Sequence, residues 1–396
     1  MTLELSKIVT QVSAMGNNAA RRARARDVRL PEARGLLAHH RHDLDLVEKV
    51  EAAKDAGWFG ALPASWPLDA AFDPPALPDR ITIVAADGSQ IYPDRHSVAL
   101  YYVINIGSIV LRLGTGETPL TDTEPSVCFD DDQLYLNDEY LVSGPVLNAR
   151  RALAEMTRLA QLAIEEVKRA PTVALADGNI ALRAQGEAFP GAERDRLEHA
   201  HITQLNGLRE AGVPAAGFIA RPGTTAVARL LELAKQLPDH VTAYAKNAPS
   251  RPFDGLITDA RIFDAILAPG QRSAVFEMWQ SWSRVYRHAG HAVHFFYLRI
   301  GAPPRTTIAR VEVPEWVAAD ADRIGLTHAA LVDQCAVTDI AYPYALIRAD
   351  ELAVITNAEK TNFEQMIGVE MMRQGIDVGP SEKAATKTVA RYGKKR

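Results

Sequence analysis

Two short apolar runs that end in the same way constrain the fold of this chain more than any other feature. Residues 81–86 (ITIVAA) precede Asp87, residues 172–176 (TVALA) precede Asp177, and a glycine follows each aspartate. An unbroken apolar run of this length is typical of a strand buried on both faces. A carboxylate at the end of such a strand is costly to desolvate without a partner. We therefore predict two buried strands that end at their aspartates, either in ordinary turns or at one shared site.

Predicted strands alternate with helices along the 396 residues, which indicates an α/β fold with a mixed β-sheet flanked by helices. After the first strand, β-rich runs near 97–107 and 108–114 predict an antiparallel meander. A helical pattern covers about 146–169, shortly before the second buried strand. Later strands are predicted at 213–219, 292–300 and 310–314.

Composition divides the chain into four segments. Residues 1–60 are predicted to be an N-terminal helical segment that forms dimer or partner contacts, because an amphipathic helix needs a surface on which to bury its apolar face. Residues 61–80 are proline-rich and are expected to be a connection, since proline disrupts helices and central strands. The main α/β domain is placed at 81–370, and a basic C-terminal tail at 371–396.

Charge is unevenly distributed in a chain whose formal net charge is −5. This net charge argues against indiscriminate coating of nucleic acid. However, six arginines lie within residues 21–34, and six lysines or arginines lie within residues 383–396. Either cluster contacts phosphate backbones or an acidic partner, or forms a solvated helix face and tail.

The expected cellular setting follows from what the sequence lacks. No window holds eighteen consecutive apolar residues, so no membrane span is expected. Cys128 and Cys335 are the two cysteines, too few for a disulfide framework and without a metal-type spacing. We therefore expect a cytoplasmic protein.

Two glutamates on the predicted helix before the second strand are candidates for a functional carboxylate. At helical spacing Glu155 shares its face with Leu159, so it borders the surface that packs on the sheet. Glu165 shares its face with Arg158 and other polar residues, which is typical of a solvated surface. Glu155 is therefore the preferred candidate.

A fourth acid lies near the C-terminus, in the helical pattern of residues 341–356. Helical geometry places Asp350 among Leu346, Ile347 and Val354, with no cation on that face. A buried aspartate in such surroundings needs a metal or a buried hydrogen-bond donor. We therefore predict a buried Asp350 that binds metal, with a backbone hydrogen bond as the alternative.

Together, Asp87, Glu155, Asp177 and Asp350 form a set of oxygen-only ligands. Such a set favours Mn²⁺ or Mg²⁺ over zinc. Two such ions held about 4 Å apart can clamp a scissile phosphate. The sequence thus predicts a metal-dependent phosphodiester hydrolase with two catalytic ions.

Several short segments, taken in order and spacing, resemble the NurA family of DNA repair nucleases. The resemblance covers about residues 80–365. Its segments are VAADGSQ at 84–90, ALADGNI at 174–180, VPAAGFIARP at 213–222, LITDARIFDAIL at 256–267, FFYLR at 295–299 and AYPYALIRADELAVI at 341–355.

The resemblance implies a fold, an activity and partners. It implies an RNase H-like core, a homodimer and Mn²⁺ dependence. It also implies endonuclease activity on single-stranded DNA and 5′-to-3′ exonuclease activity at DNA ends, during double-strand break resection with the hexameric HerA ATPase. Asp87 and Asp177 fall on the first-motif and second-motif aspartates, and Glu155 falls on the helical glutamate. Asp350 stands where better-known members carry a histidine, so it either binds metal directly or marks a weakened site.

Two further residues are candidates with alternative explanations: Asp259, which matches a family position, and Tyr342. Asp259 either orients a metal ligand or caps the helix that begins there. Tyr342 either stacks on a base or contacts phosphate, or simply packs in the core.

Two alternative functions remain open at this point. Actin-like ATPases and sugar kinases share the RNase H-like core and hold phosphate at an aspartate and a glycine-rich turn after the first strand. A catalytically weakened family member would instead hold DNA for the translocating ATPase.

Overall fold

The computed structural model describes residues 4–95, 97, 99–137, 139–184, 189–303, 305–338 and 340–376. The basic residues predicted for the tail beyond position 376 lie outside the described residues. Helices and strands alternate along the described chain, and the predicted α/β class is confirmed.

The strands, in chain order, are β1 (Gly60–Pro63), β2 (Ala71–Phe72), β3 (Ile81–Ile91), β4 (Tyr102–Leu113), β5 (Leu120–Cys128), β6 (Tyr135–Leu136), β7 (Tyr140–Leu141), β8 (Thr172–Asp177), β9 (Ala215–Ala220), β10 (Arg272–Ser273), β11 (Phe276–Trp279), β12 (Val293–Ile300) and β13 (Thr307–Pro314). The helices are α1 (Val9–His39), α2 (Asp45–Asp55), α3 (Asp131–Leu134), α4 (Gly144–Glu166), α5 (Gly191–Ala211), α6 (Ala226–Ala234), α7 (Val241–Lys246), α8 (Asp259–Phe263), α9 (Arg284–His288), α10 (Glu315–Ala318), α11 (Ala321–Ala336), α12 (Tyr344–Ala353) and α13 (Asn357–Arg373). Single 3-10 turns cover Leu5–Ile8, Pro238–His240, Pro252–Gly255 and Ser281–Ser283. None of these helices combines the length and the apolar character needed to cross a membrane.

The described residues form two compact units, each assembled from separate stretches of chain. The first, which we call the β3 unit, consists of the described residues within Asp79–Ala176, Leu182–Val213 and Ala345–Arg396. The second, which we call the β13 unit, consists of the described residues within Met1–Pro78, Asp177–Ala181 and Pro214–Tyr344.

The β3 unit has a mixed sheet, as predicted. Its strand order is β8-β3-β4-β5, in which β3 is parallel to β8 and antiparallel to β4, and β4 is antiparallel to β5. Residues 81–86 are all buried, as expected for a strand covered on both faces. Leu147, Met156 and Leu159 of α4 are also buried. A meander, a crossover helix and a parallel strand in this order form an RNase H-like core.

The predicted meander exists, but its strands differ from the predicted ones. β3 does not end at Asp87, because β4 pairs with it without a break as far as Ile91. The two runs predicted at 97–107 and 108–114 are one strand, β4. The third strand is β5, which no apolar pattern announced, since nearly all of its residues are exposed.

The β13 unit has a sheet of antiparallel neighbours in the order β1-β11-β12-β13-β9. β10 pairs with both β12 and β2. The proline-rich residues 61–80 were predicted to be a connection, yet β1 and β2 join this sheet. Proline is compatible with β1, because β1 pairs on one side only and Pro63 is its last residue.

The N-terminal segment is helical, as predicted, and it is anchored by part of its arginine cluster. Arg22 donates to the carbonyl of Gly255, and Arg29 forms an ion pair with Asp254 at 3.0 Å. Arg34 donates to the carbonyl of Arg261. These arginines therefore fasten α1 within the β13 unit, and the predicted role of residues 1–60 in dimer or partner contacts stays a prediction.

Candidate active site

Asp87 lies inside β3, beside the position on β4 where α12 closely approaches the sheet. It pairs with Gly107 of β4, and opposite residues of an antiparallel pair point to the same face. A Cβ atom built on Gly107 would lie 2.5 Å from the carbonyl oxygen of Ala349 and 2.5 Å from the nitrogen of Ala353. Only a glycine leaves room for this helix, so α12 lies on the face toward which Asp87 points.

The last turn of α12 is held by two polar side chains of the sheet. Ser89 Oγ and Asn105 Nδ2 donate to the carbonyl of Ala353, at 2.5 and 2.8 Å. This carbonyl belongs to the last turn of the helix, where carbonyls have no partner within the helix. The two hydrogen bonds fix the end of α12 that carries Asp350.

Asp350 was predicted to be buried, and this prediction is wrong. The buried face of α12 is formed by Ala345, Leu346, Ala349 and Ala353, and Asp350 beside it is exposed. One helical residue corresponds to about 100° of rotation, which is enough to move Asp350 from the buried face to its solvent edge. The cost of burial therefore gives no argument for a ligand role, although an exposed carboxylate is open to ions and substrate.

Glu155 approaches β3 from the other face of the sheet. Its side chain is 17% exposed, and its Oε1 atom would lie 2.7 Å from a Cβ built on Gly88. The glycine after Asp87 therefore provides the space in which the Glu155 carboxylate lies. Glu165, its competitor in the sequence, is exposed.

Arg151, which sequence reasoning missed, connects Glu155 to the strand. Its Nη1 donates to the carbonyl of Gly88 at 2.6 Å, and its Nε lies 3.3 Å from Glu155 Oε1. The spacing of four residues between Arg151 and Glu155, one turn of α4, was the available signal. The cation orients Glu155 and offsets part of the acidic charge beside Asp87.

Asp177 is the last residue of β8 and is exposed, and it belongs to the β13 unit. The parallel pairing of β3 with β8 ends at Ala86 and Ala176, the residues that directly precede Asp87 and Asp177. Unlike Asp87, Asp177 begins a turn, because Gly178 has a left-handed φ of 85°.

Tyr342 contacts Asp177 directly within the β13 unit. Its hydroxyl donates to Asp177 Oδ1 at 2.5 Å. Its half-buried ring packs edge-on against Phe218, with ring centroids 5.2 Å apart. Tyr342 thus combines a packed ring with a hydrogen bond to the carboxylate.

Asp259 caps a helix, but not the one that begins at its own position. The carboxylate is fully buried and accepts hydrogen bonds from the amides of Val227 and Ala228, at 3.1 and 2.9 Å, in the first turn of α6. The hydroxyl of Tyr297 donates to it at 2.7 Å. Burial raises the pKa of Asp259 despite these three donors. These contacts give Asp259 a structural role at the start of α6.

The carboxylate oxygens of the four acids are of the type that hard divalent ions prefer, but they are not grouped into a preformed metal-binding cluster among the described residues. Asp87 Oδ1 accepts from the amide of Gly88 at 2.8 Å, and Glu155 is paired with Arg151. Among the residues that the structure describes, no three His, Cys, Asp or Glu side chains are grouped to hold a metal ion. The oxygen donors are of the type that Mn²⁺ and Mg²⁺ prefer, and in this respect the residues fit such an ion.

The fold and the acids of the β3 unit define an α/β protein of the RNase H-like class, with carboxylates on both faces of a central strand. The sequence pattern of the NurA domain matches residues 81–355, more than half of the chain. The chain therefore belongs to the NurA family.

Comparison with solved structures bears on the fold alone. The NurA nuclease from Sulfolobus solfataricus is similar with a TM-score of 0.51 at 10% identity, over 96% of this chain and 100% of that one. The catalytic domain of human endonuclease V has a TM-score of 0.32 at 17% identity, over 81% of this chain and 95% of that one. Only the first likeness is close enough to support the fold. No curated protein matches the chain in sequence.

Proposed function

We propose that this protein is a divalent-metal-dependent DNA nuclease. Asp87, Glu155 and Asp350 of the β3 unit, together with Asp177, supply the carboxylates that bind Mn²⁺ or Mg²⁺, with two ions expected. When bound, such ions supply Lewis acids for the hydrolysis of a phosphodiester. Membership of the NurA family supports this proposal.

The observation that carries the proposal is the position of Glu155. A half-buried carboxylate is brought against the backbone of β3 at Gly88, the residue after Asp87, and the space exists only because Gly88 has no side chain. A purely structural glutamate does not require a glycine at the centre of a buried strand, where glycine weakens the strand. A role of the Glu155 carboxylate in binding a cation explains both residues.

The residues of the chain have distinct tasks in this proposal. Glu155 and Asp87 hold charge on opposite faces of β3, and Arg151 keeps the Glu155 carboxylate oriented through its bond to the carbonyl of Gly88. The exposed Asp350 lies open to substrate at the end of α12. Arg151 is 31% exposed and is also able to contact a DNA phosphate.

The finer functional features rest on the family. We propose endonucleolytic cleavage of single-stranded DNA and 5′-to-3′ degradation of DNA ends, in resection of double-strand breaks. We also propose a homodimer and a HerA-type hexameric ATPase as partner, with a cytoplasmic location. Membership of the NurA family supports the choice of a nucleic-acid substrate.

One observation favours a second candidate function, a DNA-holding partner of the ATPase with weakened catalysis. Among the described residues no three acidic or metal-binding side chains are already grouped around a metal position. In addition, an aspartate stands at position 350 where the family resemblance implies a histidine.

Thermal unfolding and DNA cleavage in millimolar Mn²⁺ distinguish the two functions. For a nuclease, Mn²⁺ raises the melting temperature of the wild type, because an ion that binds only the folded state stabilises it. Asp87→Asn and Asp177→Asn abolish that gain. Each lowers cleavage of linear and single-stranded DNA at least about 1000-fold, since a lost ligand removes several kcal/mol of transition-state stabilisation.

The matched control lies on the same helix as Glu155. Glu155→Gln is expected to lose the Mn²⁺ effect, whereas Glu165→Gln, at an exposed position of α4, retains it. DNA that binds without cleavage, together with a melting curve unaffected by Mn²⁺, contradicts the nuclease and supports the DNA-holding function.

A further inference from the structure

The β13 unit contains an ion pair that is completely buried. Arg310 and Glu312 are both 0% exposed, and Glu312 Oε1 accepts from Arg310 Nε and Nη2 at 3.0 and 2.8 Å. The Arg310 guanidinium also lies 3.6 Å from the centroid of the Phe295 ring. Removing two charges from water costs several kcal/mol per ion, and apolar residues of similar volume often fit such sites equally well. The pair therefore calls for an explanation other than packing.

The turn that follows Asp177 lies directly on this pair. Glu312 Oε2 accepts a hydrogen bond from the amide of Ile180 at 3.3 Å, which leaves Oε1 to Arg310. Gly217, the cross-strand partner of Glu312, has no Cβ, and one built there would lie 2.5 Å from the carbonyl oxygen of Gly178. The backbone of the turn thus rests on the sheet where Glu312 reaches it.

Two further contacts complete the support of this turn. The amide of Gly178 donates to the carbonyl of Phe218 at 2.9 Å. Tyr342 holds the Asp177 side chain from outside the turn. Glu312 and β9 therefore hold the backbone of the turn, and Tyr342 holds the carboxylate of Asp177.

We propose that Glu312 is a positioning residue for Asp177, and that Arg310 holds Glu312 in place. The proposal rests on the proposed function, since it takes Asp177 as a metal ligand. Because Arg310 holds one oxygen of the Glu312 carboxylate, the second oxygen has a fixed position from which it accepts the hydrogen bond of Ile180. The hydrogen bond from Ile180 anchors the turn three residues after Asp177. The Asp177 carboxylate is therefore already ordered before the ion binds. Hydrogen bonds that orient a ligand typically change metal affinity about 10- to 100-fold when they are removed.

The test replaces the ion pair with an apolar pair in the double variant Arg310→Met/Glu312→Leu. Both charges disappear together, so neither member of the pair is left buried without its partner, and the fold is expected to persist. The anchor of Ile180 is lost. We expect Mn²⁺ affinity, measured by calorimetric titration of the full chain with Mn²⁺ alone, to fall about 10- to 100-fold. The Mn²⁺ concentration for half-maximal cleavage rises by the same factor, while KM for single-stranded DNA at saturating Mn²⁺ stays unchanged.

A matched ion pair in the β3 unit provides the control. Arg112 and Glu166 are paired at 2.7 Å, and their side chains are 11% and 10% exposed. Arg112→Met/Glu166→Leu is expected to alter the melting temperature and leave Mn²⁺ affinity unchanged. A purely structural role for Arg310 and Glu312 predicts that both double variants behave alike.

A second variant keeps the test decisive if the double variant does not fold. In Glu312→Gln an NH2 group, which only donates, replaces one of the two accepting oxygens, so either Arg310 or Ile180 loses its acceptor in the present arrangement and Mn²⁺ affinity is again expected to fall. Unchanged Mn²⁺ affinity in the folded variant overturns the positioning role. If Asp177→Asn nevertheless abolishes Mn²⁺ binding, the proposed function stands. If Asp177→Asn also has no effect, the proposed function fails as well.

Discussion

The two Asp-Gly dipeptides look identical in the sequence and need their glycines for different physical reasons. Gly88 lies inside β3, and a Cβ there would meet Glu155 Oε1 at 2.7 Å and Ile106 Cδ1 at 2.9 Å. Gly178 has no atom within 4 Å of a built Cβ, but its φ is 85°. The first glycine provides space, whereas the second provides a left-handed backbone conformation.

This difference shows how a carboxylate can be presented in two ways. At Asp87 the strand continues, and other elements are brought to it, with α12 on one face and Glu155 on the other. At Asp177 the strand ends, and the aspartate is carried by a turn that needs support from its surroundings. The region around Asp87 is therefore expected to be sensitive to substitutions that add volume. The turn at Asp177 is expected to be sensitive to substitutions that disfavour a left-handed backbone conformation.

Of the two glycine substitutions, Gly88→Ala is expected to have the larger effect, because it adds volume where Glu155 lies. The added methyl group displaces the Glu155 carboxylate, and we expect Mn²⁺ affinity and cleavage to fall about 100-fold. Overpacking is expected to lower the free energy of unfolding by about 1–3 kcal/mol. Calorimetric Mn²⁺ titration and cleavage of single-stranded DNA measure the first effect, and urea unfolding measures the second.

A compensating variant serves as the control for this prediction. Gly88→Ala/Glu155→Asp shortens the displaced side chain and is expected to regain part of the stability lost in Gly88→Ala. Wild-type Mn²⁺ affinity in Gly88→Ala alone would mean that the space beside Asp87 has no part in metal binding.

A smaller effect is expected from Gly178→Ala, and it should be reversible by asparagine. A left-handed φ costs an alanine about 1–2 kcal/mol, whereas asparagine adopts this conformation more readily. We expect Gly178→Ala to lower the free energy of unfolding by that amount and Gly178→Asn to lose less, as measured by urea unfolding. At position 88 asparagine should be no better than alanine, because the obstacle there is volume. If asparagine recovers stability equally at both positions, the distinction between the two glycines is wrong.

Local patterns in the sequence predicted the buried strands and the helices well, because apolar periodicity reports burial directly. They failed at β5, whose exposed residues carry no such pattern, and at the end of β3, where pairing with β4 extends a strand past a dipeptide that usually forms a turn. Both errors arise from contacts between distant segments, which periodicity within one segment does not contain.

Single side chains were harder to predict than elements. The exposure of Asp350 depends on a rotation of about one residue in α12, which the broad apolar pattern does not resolve. Asp259 was correctly suspected of capping a helix, but its helix is α6, more than 30 residues earlier in the chain. Glu155 was selected over Glu165 from its helical face, and the glycine space that explains its position became visible only in the structure.

The smallest expected effect concerns the Tyr342 hydroxyl, which separates the orientation of Asp177 from the packing of its turn. Tyr342→Phe removes the hydrogen bond to Asp177 Oδ1 and retains the ring against Phe218. A single hydrogen bond contributes about 1 kcal/mol, so we expect Mn²⁺ affinity to fall about fivefold in calorimetric titration, with little change in melting temperature.

Tyr92→Phe removes a comparable surface hydroxyl, which donates to Asn148, and is expected to leave Mn²⁺ affinity unchanged. Equal effects of the two tyrosine variants would mean that the Tyr342 hydroxyl does not orient the carboxylate. If Tyr342→Phe alone weakens Mn²⁺ binding, an aspartate on a turn needs a hydroxyl to direct its side chain. The side chain of Asp87 lies inside a strand, and the pleat of the sheet orients it toward the face that α12 covers.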